Sequence, residues 1–325
     1  MRARAVAKEI VYGLAHLGGL AHLKRKSRRG GLSILTYHSF GPAAEHPYLN
    51  RMPVQRMDEQ IRHLKTIYDL VDIETGLARL TSGDADASAL PMVAITVDDG
   101  YGDNYEHLFP LLRAHAVPAT IFLATDYIDS GHLPWPTRLS AALHYATASK
   151  LAGPDEMGLD GPSERSAAGR RLRQSLSRLG TAERKSRLEE IEAVLKPRRY
   201  TPLKPLTWES VRNMRAAGIR FGAHTHWHGW LDRLPESDRN EELVTAKRRI
   251  EAELQEACAG IAYPNGNWND DVAEAAQRAG YRWAVTQDAG VNSGAGAGVM
   301  ALRRIEVPFD ERIGTFACRV SGVAA

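Results

Sequence analysis

Short apolar segments that end in polar residues alternate with segments of helical periodicity along most of this 325-residue chain. Seven such apolar segments have the length and composition of buried strands. They are residues 32–37, 92–97, 119–124, 219–223, 260–263, 282–286 and 303–307. Helical periodicity follows at residues 53–68, 240–256 and 270–279. Strand, helix and strand in succession predict a parallel α/β architecture in which helices cover a central sheet.

The alternation is interrupted between about residue 129 and residue 203. This stretch is rich in Ser, Ala, Arg and Glu, and Leu188, Ile191 and Leu195 repeat at helical spacing. We interpret it as a helical insertion within one domain that extends over residues 32–322. Residues 1–31 are expected to form a separate basic segment.

Composition restricts the classes of partner and compartment. Hydrophobic residues make up 43% of the chain, charged residues 25%, and the net charge of +3 is too small to indicate nucleic-acid binding. The apolar residues 10–23 are too few to span a bilayer, and they run into a basic cluster without a signal-peptide cleavage site. We expect a cytoplasmic protein whose basic residues 24–29 are either a solvated tail or a contact with anionic lipid at the inner face of the membrane.

Three of the predicted strands end in side chains that are suited to hydrolysis. These ends are Tyr37-His38, Asp98-Asp99-Gly100, and the segment from His224 to His228. Active sites of α/β folds collect at the carboxyl ends of parallel strands, where the following loops converge. The sequence therefore predicts one shared site that contains all three strand ends.

The spacing of two histidines favours a metal site. His224 and His228 are four residues apart, so one helical turn after the strand would bring their imidazoles to the same side. Two imidazoles and one carboxylate leave coordination positions open for water and substrate, as in catalytic sites. A His-rich surface loop is the alternative.

Two adjacent carboxylates end the second predicted strand. Side chains alternate in direction along a strand, so Asp98 and Asp99 are expected to point differently and to take different roles, one with a metal and one with protons. The alternative is that the Asp-Asp-Gly sequence only forms a turn.

Together these residues resemble a known family. Residues 96–100 (TVDDG), 224–228 (HTHWH) and 262–266 (AYPNG) are similar, in order and spacing, to the three motifs of the NodB-homology polysaccharide deacetylases, carbohydrate esterase family 4. The resemblance extends over roughly residues 32–322. It implies a distorted (β/α) barrel and a hydrolase that acts on carbon–nitrogen amide bonds other than peptide bonds, removing N-acetyl groups from a carbohydrate.

The resemblance also implies roles for individual residues. Asp98 would be the general base, and Asp99, His224 and His228 would hold one divalent metal ion. Tyr263 would direct its backbone N–H at the oxyanion. Zn²⁺ is the expected ion because of its Lewis acidity, with Co²⁺ or Ni²⁺ as alternatives.

Residues beside the motifs are candidates for substrate contact. Pro264 and Asn265 follow Tyr263 in the third motif, and Trp227 lies inside the second. The aromatic face of Trp227 suits the apolar side of a sugar ring, although packing in the core would explain a tryptophan near a strand end equally well. His226, between the two proposed ligands, is expected to support the site or to face solvent.

Two functional positions of the family have no direct counterpart. No histidine follows His228, whereas the usual acid is a C-terminal histidine. Leu35-Thr36-Tyr37-His38 resembles the Y-H motif of the branch that acts on poly-N-acetylglucosamine, which looks circularly permuted, so His38 is our candidate acid. Histidine is the residue type that ordinarily changes its charge near neutrality, which suits that role, and simple packing at a strand end is the alternative.

The arginine that orients the base in the family is also missing from the third motif. Ile261 and Ala262 occupy that stretch here. Arg303 and Arg304 begin a late strand and could reach Asp98, and we take Arg304 as the candidate. Ordinary surface charge is the alternative.

Two further functions remain open on the same scaffold. The altered arginine and acid positions would suit a catalytically impaired protein that only binds glycans. The same metal centre would also suit an amide hydrolase with a substrate other than a sugar. Under the family resemblance, the partner is an N-acetylated carbohydrate, either a glycan or a lipid-linked precursor.

Overall fold

A computed structural model describes residues 30–82, 90–151, 156–294 and 298–323 of the chain. The basic segment predicted for residues 1–31 lies almost entirely outside the described residues, and so does its proposed contact with lipid. None of the described helices is long and apolar enough to cross a bilayer.

The described strands are parallel except for one hairpin, β7–β8. They are β1 (Leu32–Tyr37), β2 (Ser39–Phe40), β3 (Arg51–Met52), β4 (Asp69–Leu70), β5 (Met92–Val97), β6 (Ala119–Leu123), β7 (Lys150–Leu151), β8 (Met157–Gly158), β9 (Arg220–Ala223), β10 (Gly260–Ala262), β11 (Trp283–Ala289) and β12 (Leu302–Glu306). All seven predicted strands are present, each with bounds within three residues of the prediction.

The α-helices alternate with these strands. They are α1 (Val54–Ile67), α2 (Ile73–Ser82), α3 (Phe109–His115), α4 (Thr125–Ser130), α5 (Trp135–Tyr145), α6 (Pro162–Leu176), α7 (Thr181–Leu195), α8 (Trp208–Ala216), α9 (Glu236–Leu254), α10 (Asp270–Arg278) and α11 (Ile313–Ser321). Thr207 caps α8 through a reciprocal pair of hydrogen bonds with Ser210. Sequence periodicity did not predict α2, α4 or α11, which are only six to ten residues long.

Seven parallel strands close into a barrel. They follow the order β1-β12-β11-β10-β9-β6-β5, and β5 then pairs again with β1. Closure joins strands from opposite ends of the chain, since Leu35 of β1 lies in register with Ile305 of β12. The predicted distorted (β/α) barrel is confirmed.

The two faces of each barrel strand are buried in different clusters. Leu32 and Ile34 of β1 belong to the inner cluster, together with Phe122 and Leu302, whereas Leu35 and Tyr37 pack against the surrounding helices. Strand side chains alternate in direction, so even-numbered positions of β1, β5 and β12 share the inner face of the barrel. His38, Asp98 and Arg304 are also even-numbered, so they are expected on the same inner side, at one end of the barrel.

The helical stretch between β6 and β9 has a hydrophobic cluster of its own. α5, α6 and α7 contribute residues such as Leu139, Leu172 and Leu188 to it, and Trp230 joins it from the loop after β9. This stretch therefore packs internally and contacts the barrel beside that loop. Its description as an insertion at 129–203, and the domain bounds 32–322, stay predictions.

Candidate active site

The loops after β1, β5 and β9 meet at one end of the barrel. Asp98, the first residue after β5, donates its backbone N–H to the Tyr37 carbonyl at the end of β1, at 2.9 Å. On the other side of β6, the His224 N–H donates to the Leu123 carbonyl at 2.8 Å. Sheet hydrogen bonds thus align the ends of these strands, as the shared site requires.

Asp99, His224 and His228 form a compact cluster. The Asp99 Oδ1 atom lies 3.4 Å from His224 Nε2 and 3.2 Å from His228 Nε2. One ligand atom from each of the three residues lies within 4.8 Å of the other two. The residues predicted to hold the metal are therefore brought together, although Asp99 and His224 are separated by more than a hundred residues of sequence.

The donor atoms of this cluster fit a divalent cation. Asp99 Oδ1 is buried and has no hydrogen-bond partner, although both imidazoles are near it. The His224 Nδ1–H donates to the Ala262 carbonyl at 2.8 Å, which leaves the lone pair of Nε2 directed at Asp99. A buried carboxylate oxygen between two imidazole nitrogens is a ligand set that Zn²⁺ and similar ions prefer.

The electrostatics of the cluster favour an ionised carboxylate. Burial opposes ionisation of Asp99, but the nearby His224 and His228 imidazoles outweigh it and hold its pKa well below the usual range. Burial also disfavours the charged form of both histidines, and this effect by itself would lower their pKa values. For His224 the two aspartates prevail and raise its pKa, whereas for His228 burial prevails and lowers it.

The His224–His228 loop is irregular, and the predicted helical turn is wrong. Thr225 and His228 have positive φ angles of 62° and 57°, which interrupt any helical path. The two imidazole rings nevertheless lie edge to face, with centroids 4.9 Å apart. Positive φ is unfavourable for a β-branched residue such as Thr225, so the surrounding contacts must hold this backbone in place.

Glu242 of α9 provides those contacts, and sequence analysis did not identify it. Its Oε2 atom accepts the backbone N–H of His226 at 2.8 Å and that of Trp227 at 2.7 Å. Glu242 is fully buried, and its nearest cation is Arg184, at 3.7 Å. A glutamate on an amphipathic helix gives no local signal of this role, because helical periodicity does not reveal which loop packs above it.

Asp98 is ion-paired with Arg304 inside the barrel. Arg304 Nη1 and Nη2 donate to the two carboxylate oxygens at 2.8 and 2.7 Å, and Nε donates to the Thr286 carbonyl at 2.7 Å. The side chains of Arg304 and Asp98 are 0% and 1% exposed. Burial opposes ionisation of Asp98, but Arg304 and the nearby histidines outweigh it and lower its pKa. The contact predicted between these residues is present.

His38 lies next to this pair. It is half-buried, and it lines the same cleft as Asp99. Its backbone carbonyl accepts a hydrogen bond from Asn104 Nδ2 at 2.9 Å. Asn104 is fully buried and also bonds to Asp103, which in turn accepts from Ser39. A buried polar network thus fixes the backbone that carries His38.

The third motif is placed differently from the prediction. The Tyr263 N–H donates to the Val285 carbonyl at 3.1 Å within the barrel sheet, which contradicts the expectation that it is available to an oxyanion. The Tyr263 hydroxyl donates to the Met300 carbonyl at 3.0 Å, so this side chain is a buried structural residue. Pro264 is buried as well, whereas Asn265 is exposed and has a positive φ of 59°.

The tryptophans near the motifs divide between core and surface. Trp230 is 9% exposed and packs against Trp135, with ring centroids 6.0 Å apart. Trp227 is half-buried and lies over the His226 ring at a centroid distance of 4.3 Å. The His226 side chain is fixed by a hydrogen bond between its Nδ1 atom and Thr125 Oγ1, at 2.7 Å. Trp227 is therefore the tryptophan of this loop that keeps an accessible face.

A cleft of about 560 Å³ reaches the cluster at Asp99. His38 and Asp99 line this cleft together with Tyr48, Ser140 and Arg173. The last two of these residues belong to the helical stretch after β6. The helical stretch thus lines the same cleft as Asp99, one of the three residues of the metal cluster.

A closed α/β barrel with an Asp-His-His cluster and a neighbouring ion-paired aspartate defines a hydrolase-type centre at the carboxyl ends of parallel strands. The family model described as polysaccharide deacetylase matches residues 85–284. The chain belongs to the polysaccharide deacetylase family, and it is a hydrolase that acts on amide bonds of carbohydrates.

Individual relatives agree with this assignment. The chain is 23% identical over 283 residues to YxkH of Bacillus subtilis (strain 168), which carries the name of a polysaccharide deacetylase; the match covers 85% of this chain and 71% of YxkH. The fold is similar to that of the Streptococcus pyogenes deacetylase PplD, with a TM-score of 0.59, 19% identity and coverage of 86% and 93% of the two chains. It is also similar to IcaB from Ammonifex degensii, with a TM-score of 0.57, 16% identity and coverage of 90% and 96%.

Proposed function

We propose that this protein removes N-acetyl groups from an N-acetylated carbohydrate, either a glycan or a lipid-linked precursor, in a reaction that requires one divalent cation. The observation that carries the proposal is the buried Asp99 Oδ1, which lies without a hydrogen-bond partner between His224 Nε2 and His228 Nε2. Zn²⁺ is the preferred ion, and Co²⁺ and Ni²⁺ also suit this ligand set.

Asp98 is the proposed general base. A cation held by Asp99, His224 and His228 would supply a Lewis acid for the acetyl carbonyl and would make a water molecule easier to deprotonate. Asp98 is ionised because Arg304 lowers its pKa, so it can accept the proton of the attacking water. The two Arg304 hydrogen bonds hold the carboxylate in one orientation for that transfer.

His38 is the proposed acid that protonates the leaving amine. Tyr37 lies in register with Val97, so His38 follows β1 at the level where Asp98 follows β5. It lines the cleft from the side of the barrel opposite to β9. An acid at the start of the domain is the arrangement of the permuted branch that the Tyr37-His38 motif resembles.

The backbone N–H of Asn265 is the proposed oxyanion donor, in place of that of Tyr263. Among the described residues, the Asn265 N–H has no hydrogen-bond acceptor, whereas those of Tyr263 and Gly266 donate to carbonyls. Asn265 lies three residues after Ala262, whose carbonyl holds His224. A preorganised N–H at this position would stabilise negative charge on the acetyl oxygen.

Trp227, Pro264 and Asn265 are the proposed contacts with the sugar. Trp227 is half-buried, directly precedes His228 in the chain and lines a cavity of about 410 Å³, and Asn265 is an exposed polar residue of the third motif. The apolar side of a pyranose ring packs on aromatic faces, while its hydroxyls bond to neighbouring polar groups. These residues would set the position of the sugar rather than the chemistry.

The intact ion pair argues against the catalytically impaired alternative. That alternative rested on the altered arginine and acid positions, and for the first of these Arg304 supplies a bidentate partner for Asp98 from β12. An active hydrolase of this kind needs a base held in position, here Asp98 beside the Arg304 guanidinium, and a complete set of metal ligands.

Release of acetate from N-acetylglucosamine oligomers tests the proposal. Purified protein with added Zn²⁺ should release acetate, chelator should stop the release, and Asp98→Asn should abolish turnover while zinc still binds. Glycan binding without acetate release, over a broad panel of N-acetylated sugars, would favour the glycan-binding alternative. Hydrolysis of acetamides that carry no sugar, with a higher kcat/KM than for any N-acetylated sugar, would instead indicate an amide hydrolase whose substrate is not a sugar.

A further inference from the structure

Arg173 lines the cleft that reaches the metal cluster at Asp99. It lies near the end of α6, and it lines the 560 Å³ cleft together with His38 and Asp99. Tyr48, Ser140 and Arg173 also line a second cavity of about 570 Å³. Arg173 is therefore shared by two adjoining cavities, so a substrate longer than one sugar that occupied both would pass it.

The guanidinium of Arg173 has few partners of its own. It is half-buried, and its described hydrogen bond is a long one, 3.4 Å from Nη1 to Ser140 Oγ. Within residues 30–82, 90–151, 156–294 and 298–323, no carboxylate lies within 4.0 Å of it, although Asp99 and Glu306 line the same cleft. A guanidinium carries five N–H donors, so most of those of Arg173 remain available in the cleft.

Several buried or half-buried arginines are paired with carboxylates. Arg138 bonds to Glu192 at 2.7 Å, Arg319 to Glu311 at 2.8 Å, and Arg304 to Asp98. Pairing is expected, because withdrawing a charge from water without a counter-ion is unfavourable. Arg165, which is also half-buried, instead donates to four backbone carbonyls. Arg173 has neither kind of partner, and it lines a cleft in which a ligand can supply an anion.

We infer that Arg173 binds an anionic group, a phosphate or a carboxylate, that the carbohydrate substrate carries next to its N-acetylated sugar. This inference rests on the proposed function and specifies the substrate class. The planar guanidinium matches the oxygens of phosphate and carboxylate in a bidentate way. Ser140 Oγ, beside Arg173 Nη1, would add a neutral donor to the same group.

Binding affinity, measured by calorimetry on zinc-loaded protein, provides a test that does not depend on turnover. The probes are N-acetylglucosamine 1-phosphate and neutral N-acetylglucosamine. The wild-type protein should bind the phosphorylated sugar roughly 10- to 100-fold more tightly, which is the effect expected of one charge-assisted bidentate contact. Arg173→Gln should remove this difference and leave the affinity for the neutral sugar unchanged.

Arg171→Gln is the matched control. Arg171 lies two residues earlier on α6, is exposed, and lines neither cavity, so its replacement changes the net charge equally without touching the cleft. It should keep the preference for the charged sugar. Thermal unfolding of R173Q should match that of the wild type, because the side chain makes only one long hydrogen bond.

A disaccharide of glucuronic acid and N-acetylglucosamine distinguishes the two sources of the anion. A preference for it, or for the sugar phosphate, that R173Q removes supports the inference and identifies the anion. Equal affinity of the wild type for charged and neutral sugars would overturn it. So would a preference that survives R173Q, which would belong to the metal or to another cation. If acetate release failed with every sugar while the Arg173-dependent preference persisted, only the proposed deacetylation would be contradicted.

Discussion

Arg304 holds both carboxylate oxygens of Asp98 from a position 206 residues further along the chain, at 2.8 and 2.7 Å. The pair lies inside the barrel, where neither side chain is more than 1% exposed. Closure of the barrel creates it, because β1 alone separates β5 from β12 in the sheet. A buried pair of this kind orients the proposed base and also links the first and last thirds of the domain.

Arg304→Met should reduce both stability and activity. It leaves the Asp98 carboxylate buried without its partner, and breaking such a pair costs roughly 3–5 kcal/mol in the free energy of unfolding. The pKa of Asp98 should rise, so the acidic limb of the kcat/KM profile should move to higher pH. Urea unfolding and pH-dependent kinetics measure the two effects. Arg303→Met, which removes an exposed neighbour, should change neither.

Zinc should stabilise the folded protein against heat. An ion that binds only the folded state, at 100 times its dissociation constant, adds about 2.7 kcal/mol to the free energy of unfolding. His228→Ala should remove this gain because it deletes one of the three ligands. The measurement is the Tm with added Zn²⁺ and with chelator. His132→Ala, an exposed histidine away from the cluster, should respond like the wild type; an equal response of His228→Ala would exclude His228 as a ligand.

Glu242→Ala should weaken metal binding although Glu242 does not touch the cluster. The backbone N–H groups of His226 and Trp227 would lose their shared acceptor, and the loop with His224 and His228 would lose its fixed path. Loss of a supporting contact of this type lowers metal affinity about 10- to 100-fold. Competition titration with a zinc chelator measures the change. The exposed neighbour Glu241→Ala serves as the control.

His38→Gln should lower kcat and leave metal binding intact. A general acid contributes roughly 100- to 10,000-fold to the rate, and glutamine cannot supply a proton to the leaving amine. Bound zinc, measured by atomic absorption, should equal that of the wild type. His46→Gln changes a histidine in the neighbouring loop and should leave kcat unaltered. A wild-type kcat in His38→Gln would assign the proton donor to another residue.

Asp103 should make stability fall as pH rises. Burial raises its pKa from 3.8 to about 7 despite its contacts with Ser39 and Arg51. Between these pH values the folded state keeps a proton that the unfolded state releases, so the contribution to stability declines from about pH 4 to about pH 7, by about 4 kcal/mol in total. Urea unfolding at pH 5 and pH 8 should show this decline in the wild type relative to Asp103→Asn. The control Asp160→Asn changes an exposed carboxylate and should keep the wild-type slope.

Local sequence patterns were sufficient for the strands and for the position of the chemistry. Strands of a parallel barrel are buried on both faces, so each forms a continuous apolar run, such as residues 92–97, that can be recognised in the sequence. Polar residues directly after those runs must lie at the carboxyl end of the barrel. Asp98, Asp99 and His224 were placed correctly for this reason alone.

Local patterns failed where the backbone leaves regular structure. The helical turn predicted for residues 224–228 is replaced by a loop with positive φ at Thr225 and His228. The Tyr263 N–H was expected to be available, but Tyr263 directly follows β10 and its N–H donates to the Val285 carbonyl of β11. Both depend on contacts with segments remote in sequence, Glu242 in one case and β11 in the other.

The sequence by itself determined which residues carry the chemistry and at which strand ends they stand, because burial and period are local properties of the chain. The sequence also offered Arg303 and Arg304 as partners for Asp98, and the tertiary structure selected Arg304. Only the tertiary structure showed that Glu242 accepts from the histidine loop and that Arg173 lines the same cleft as Asp99. These pairings follow from the register in which the barrel closes and from the packing of the helical stretch against it. Neither is encoded within any short segment, since each depends on many contacts between residues far apart in the chain.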